Sequence, residues 1–173
     1  MTRGTVLLVG MPFAGIDLPN LSIALVQAHL RHGGFECHAR YANLDLATRL
    51  DPTVLALADG GPMTGEWLFV PALHGGSVVD DDIEHYARFA QGALGEALDD
   101  AVLDRLVEAR DVCTTFVDEM ADCIDWDSYD AVGFSTVFQQ TLASLALARR
   151  IKARRADLPV LFGGASMHGD MGV

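Results

Sequence analysis

The stretch YDAVGFSTVFQQTLASLALARRIKARR, residues 129–155, decides how the chain folds. Ala131, Val132 and Phe134 form a short apolar run of the kind buried on both faces of a parallel sheet. The run ends in Ser135, Thr136, Gln139 and Gln140, so two hydroxyls and two amides stand where a strand hands over to a helix. From Thr141 the spacing is helical, with Leu142, Leu145 and Leu147 inward and five of the twelve basic residues near the C-terminus. Those cations complement the helix dipole and are read as a helix end, not as an anion site.

Outward from this βα step the same rhythm recurs. TVLLVG (residues 5–10) is a continuous apolar run ending in glycine, and LPNLSIALVQAHLRHGG (18–34) is a helix. Leu21, Leu25, Ala28 and Leu30 form its broad apolar face, and His32, Gly33 and Gly34 form its stop. FECHARYANL (35–44) alternates as a second strand, parallel to the first through a right-handed crossover. LPVLFGG (158–164) is the fourth strand, and ASMHGDMGV (165–173) begins a loop. The expected fold class is α/β, a flavodoxin or Rossmann-like doubly wound parallel sheet, truncated after its fourth strand and carrying a mainly helical insertion. A complete sheet of this type needs another helix and strand beyond β-strand four.

The insertion covers about residues 44–126, far more than a crossover requires. Its first part, DGGPMTGEWLFVPALHGG, holds five of the seventeen glycines and reads as an ordered loop. DDDIEHYARFAQGAL opens with three aspartates that favour a helix N-terminus. In the next helix Leu103, Leu106, Cys113, Val117, Met120 and Ile124 make one buried stripe, interrupted by Arg110. Sixteen of the 24 acidic residues lie between Asp80 and Asp130 and read as a solvated face.

At 173 residues and 50% hydrophobic, the chain has enough core for one domain, 1–173. A formal charge of -12 and a pI near 4.6 argue against nucleic acid and against an anionic membrane surface as partners. No apolar run approaches the roughly 20 residues a membrane helix needs, and no signal peptide opens the chain, so a cytoplasmic location is expected. Cys37, Cys113 and Cys123 are too few and too widely spaced for a disulfide framework or a zinc knuckle.

In an open parallel sheet, ligands bind at the C-terminal ends of the strands. Here those ends are GMPFAGIDLPN, FSTVFQQ and GGASMHG. Ser135 and Thr136 stand at such an end, where a hydroxyl either meets a ligand or caps the next helix, whose first N–H groups are also on offer. Gly163 and Gly164 permit either a tight turn or the close approach of a ligand to backbone.

Ser135, a spacer and Val137, followed by Gly163 and Gly164, resemble the Ser-x-Leu and Gly-Gly elements of cobalamin-binding domains. In that family the corrin sits on the strand ends and its nucleotide tail threads into the sheet beside the serine and the glycine pair. The Asp-x-His-x-x-Gly element is missing, since MPFAGIDLPN contains no histidine and His29, His32, His38, His74, His85 and His168 lie elsewhere. Its conspicuous side chains are Met11, Phe13, Asp17 and Asn20, with Met11 the only soft donor and Phe13 able to exclude a lower water. VGMPFAGIDLPNLSIALVQAHLRHGG, GEWLFVPALHG, GFSTVFQQTLASLALARR and FGGASMHGDMG further resemble the N-terminal region of cobalamin-dependent radical SAM proteins, closest to those that mature ribosomally made peptides.

That resemblance implies a cobalamin site at Met11, Pro12, Phe13, Ser135, Thr136, Val137, Gln139, Gly163, Gly164 and Ala165, with Ser135, Val137, Gly163 and Gly164 in the positions the family motif uses. It also implies a base-off cobalamin with no protein histidine on cobalt, and a peptide substrate for the full-length methyltransferase. S-adenosylmethionine and a [4Fe–4S] cluster would belong to a radical SAM barrel expected after Val173. No Cys-x-x-x-Cys-x-x-Cys is present, so this chain alone is expected to bind cobalamin without catalysing methylation. Two other classes fit the residues: a standalone flavodoxin-like binding or sensor module, although Gly-x-Gly-x-x-Gly and the P-loop are missing, and a docking protein built on the acidic insertion.

Overall fold

In the computed structural model, which describes residues 2–76 and 80–167, four parallel strands lie in the order β2-β1-β3-β4. β1 (Thr5–Gly10) pairs with β2 (Glu36–Tyr41) on one side and β3 (Ala131–Ser135) on the other. β4 (Val160–Gly163) pairs with β3 in a register that sets Ser135 opposite Gly163. The chain is therefore an α/β protein with a flavodoxin or Rossmann-like parallel sheet.

Strand alternation divides the core in two. Leu7, Val9, Val132 and Phe134 join the large cluster beneath the insertion, while Val6 and Leu8 pack with Ile23 and Cys37 under α1 (Leu21–His32). The expected apolar face of α1 is corrected here. Only Ile23 is buried; Leu21 and Leu25 are 67% and 52% exposed, Ala28 is exposed and Leu30 is partly buried. The reason is coverage: α1 packs mainly on β1 and β2, and among the described residues its flank toward β3 and β4 lines an open trough. In α8 (Thr141–Arg154), Leu147 is buried and Leu142 partly so, but Leu145 faces outward; Ala143, Ala146 and Ile151 fill the inner face instead.

The insertion is mainly helical, as α2 (Ala42–Ala47), α3 (Pro52–Gly60), α4 (Thr64–Leu68), α5 (Val70–His74), α6 (Asp80–Leu94) and α7 (Asp100–Cys123). The segment read as an ordered loop contains α4 and α5. Several of its glycines and one of its two prolines sit at helix ends: Gly61 closes α3, Pro71 lies in the first turn of α5, and Gly75 ends it at φ 74°. Nor does Arg110 interrupt the α7 stripe. It is fully buried, with its guanidinium paired to Asp82 of α6 and stacked 4.0 Å over the Trp67 ring.

Arg149, Arg150 and Arg154 of α8 engage α7 and α5. Arg150 pairs with Asp118 and donates to the Ala72 carbonyl, and Arg154 pairs with Asp122. Among the described residues, no helix is long and apolar enough to cross a membrane.

Candidate ligand site at the strand ends

The polar group between β3 and α8 is a set of ties among three loops. Gln140 is buried; its Nε2 donates to the Met11 carbonyl at 2.6 Å, and its Oε1 accepts from Val137 N–H at 3.0 Å, joining the β1 loop to the β3 loop. Gln139 turns the other way, at φ 70°, toward the insertion. Its Oε1 accepts from Gly65 N–H at 2.6 Å and its Nε2 donates to the Gly61 carbonyl at 3.1 Å. The two amides thus bolt the loop from both sides, and Gln139, expected at the cofactor, is buried with both ends of its amide engaged.

Glu66 of α4 completes the arrangement. Its carboxylate accepts from the Thr141 and Leu142 N–H groups at 3.0 and 2.7 Å, so the α8 N-terminus expected to be on offer is already held by an anion. Glu66 escaped the sequence reading. Its only local signal is a single carboxylate ahead of the apolar run WLFVPAL.

Neither hydroxyl caps α8, whose N-cap is Gln140 without a side-chain bond. Thr136 is fully buried and structural: its N–H and Oγ1 both donate to the Gly163 carbonyl, at 2.7 and 2.9 Å, and its own carbonyl accepts from Ser166 N–H at 3.3 Å. Ser135 is different. It is half-buried, and its hydroxyl makes no hydrogen bond to a described residue.

The glycine pair divides in the same way. Gly164 adopts φ 108°, and a Cβ there would overlap the Thr136 carbonyl and lie 2.9 Å from its nitrogen, so the close-packed turn alone accounts for glycine. Gly163 has ordinary backbone geometry, and a Cβ there would meet nothing within 4 Å. Its missing side chain leaves open space.

That space belongs to an apolar trough of about 550 Å³ on the α1 face of β3 and β4. Ser135, Gly163 and Gly164 line its upper end, Leu25, Val26 and Leu161 its flanks, and among the described residues no charged residue lines it. Around the strand ends Ile16, Leu18, Val137 and Phe138 are exposed, giving an apolar rim, with Ala165 exposed beside it. Beside this rim, Phe13, Asp17, Asn43 and Asp59 line a smaller cleft of about 170 Å³.

The expected positions in the first loop differ in exposure. Met11 is fully buried in the core and Pro12 is buried. Phe13 is half-buried with its ring edge-on to Phe69 at 6.0 Å. Asn20 caps α1, accepting from Ile23 N–H at 3.1 Å. None of the described histidines stands on these loops, and His168 lies outside the described residues. Compared with family models, curated proteins and solved structures, the chain gives no match.

Proposed function

We propose that the strand ends of β3 and β4 bind cobalamin, and that the chain is the cofactor-binding N-terminal region of a cytoplasmic cobalamin-dependent radical SAM enzyme that modifies a ribosomally made peptide. The observation that carries this reading is the pairing of Ser135 with Gly163 at the mouth of an uncharged trough of about 550 Å³. The donor set suits the nucleotide tail. The Ser135 hydroxyl has no partner among the described residues, the open Cβ position of Gly163 leaves room for a flat heterocycle against backbone, and the trough walls are apolar. Val137 and Ala165 stand at the rim, where the corrin edge would rest. When bound, cobalamin supplies a methyl-carrying cobalt. S-adenosylmethionine and the iron–sulfur cluster would be held outside these 173 residues.

Met11, the only soft donor of the first loop, is buried in the core, which supports a base-off cobalamin held without a thioether from this chain. A nucleotide or phosphate-sensing module is the weaker reading for a specific reason: the Glu66 carboxylate occupies the helix N-terminus where such a module would seat its phosphate.

Absorption spectroscopy after incubation with hydroxocobalamin and desalting tests the proposal. A retained corrinoid spectrum of the base-off type is expected, with no nitrogen superhyperfine splitting from protein in the electron paramagnetic resonance of the Co(II) form. A colourless protein, or splitting from a protein histidine, would overturn it.

A further inference from the structure

We infer that the cleft of about 170 Å³ beside the strand-end rim binds an alkylammonium group, the chemistry of a lysine side chain or of a small primary amine. Three segments meet there: the first loop with Phe13 and Asp17, α2 with Asn43 and Leu46, and α3 with Leu55 and Asp59. Asn43 carries the inference. It is only 6% exposed, and its Nδ2 donates to the Ala14 and Gly15 carbonyls at 3.4 and 3.3 Å. Those two carbonyls fix which end of the amide is which, since a reversed amide would set oxygen against oxygen. Its Oδ1 is left as a buried acceptor at the cleft with no donor among the described residues. A buried acceptor in that state is costly, and a donor brought by a ligand removes the cost.

The rest of the lining selects a cation for that donor. Asp17 and Asp59 are exposed at the cleft, neither is ion-paired among the described residues, and no lysine, arginine or histidine lines it. Its side chains thus offer an amide oxygen and two carboxylates, and an ammonium brings three donors and no acceptor. A divalent metal is a poorer match: among the described residues no three histidine, cysteine or acidic side chains come together, and hard cations want six or more oxygens. Phe13, Leu46 and Leu55 suit a methylene stem, which long cationic side chains lay along apolar surface while the head reaches polar groups. Size agrees as well. A cavity of ~150 Å³ holds benzene, so about 170 Å³ admits a butylammonium.

The inference does not depend on cobalamin binding, and its test uses the 173-residue chain without a corrinoid. Proton–nitrogen correlation spectra, recorded through a titration with n-butylammonium chloride at constant ionic strength, should show saturable shifts of the Asn43 side-chain amide and of the Asp17 and Asp59 backbone amides. Neutral n-butanol should leave them in place. Asp17→Asn and Asp59→Asn, both at exposed positions, should keep the parent's spectrum and each weaken butylammonium binding about twofold to fivefold. N-acetyl-lysine N-methylamide separates the two sources: binding at least as tight as butylammonium marks a peptide lysine as the ligand, and no binding marks a free amine. Equal shifts with n-butanol, shifts confined to residues outside the cleft, or undiminished binding by the Asp17→Asn, Asp59→Asn double variant would overturn the inference.

Discussion

Gly163 and Gly164 are adjacent and chemically identical, yet they answer to different constraints. For Gly164, φ 108° and the nearby Thr136 backbone make any Cβ strained, whatever binds. Gly164→Ala should therefore lower stability by about 1–3 kcal/mol, a fall in Tm of several degrees for a chain of this size. Gly163→Ala, into open space, should leave Tm within about 1 °C of the parent, because nothing strained is introduced. Equal melting temperatures for the two variants would contradict this division of roles. The sequence shows the pair but not its division, because the difference lies in one dihedral and in the position of Thr136, 28 residues away by chain.

At the scale of elements, the strands and long helices were legible because their periodicity runs for many residues: β1, β3, β4, α6, α7 and α8 all lie where their patterns put them. What was not legible is what distant segments supply. α4 and α5 are five residues each, too short for a periodic signal and held by tertiary packing. Arg110 reads as a gap in α7 because its partner Asp82 is 28 residues away, and Glu66 caps α8 across 75 residues. From that cap follows a measurable consequence. Glu66→Ala should leave two buried-side amides of α8 without an acceptor and cost about 1–3 kcal/mol, while Glu66→Gln, keeping one oxygen, should cost less. Thermal melts check the order; a Glu66→Ala variant as stable as the parent would remove the helix cap from the account.

For the molecule as a whole, the insertion and the sheet divide two tasks. The helices on the Leu7 and Val9 face wire the strand ends rigidly through Glu66, Gln139 and Gln140, whereas the α1 face leaves the trough open beside Ser135 and Gly163. The ligand region was thus legible as a place, the ends of parallel strands, but the sequence did not separate residues that build the loops from residues that face the opening. Thr136 and Gln139 build; Ser135 and Gly163 face it. The most direct measurement compares equilibrium binding of cobalamin with that of cobinamide, the corrinoid that lacks the nucleotide tail, to the parent and to Gly163→Leu. If the trough holds the tail, the parent binds cobalamin at least tenfold more tightly, about 1.4 kcal/mol, and Gly163→Leu, still folded, binds the two alike. Equal affinity of the parent for both corrinoids, or an undiminished preference in Gly163→Leu, would contradict it.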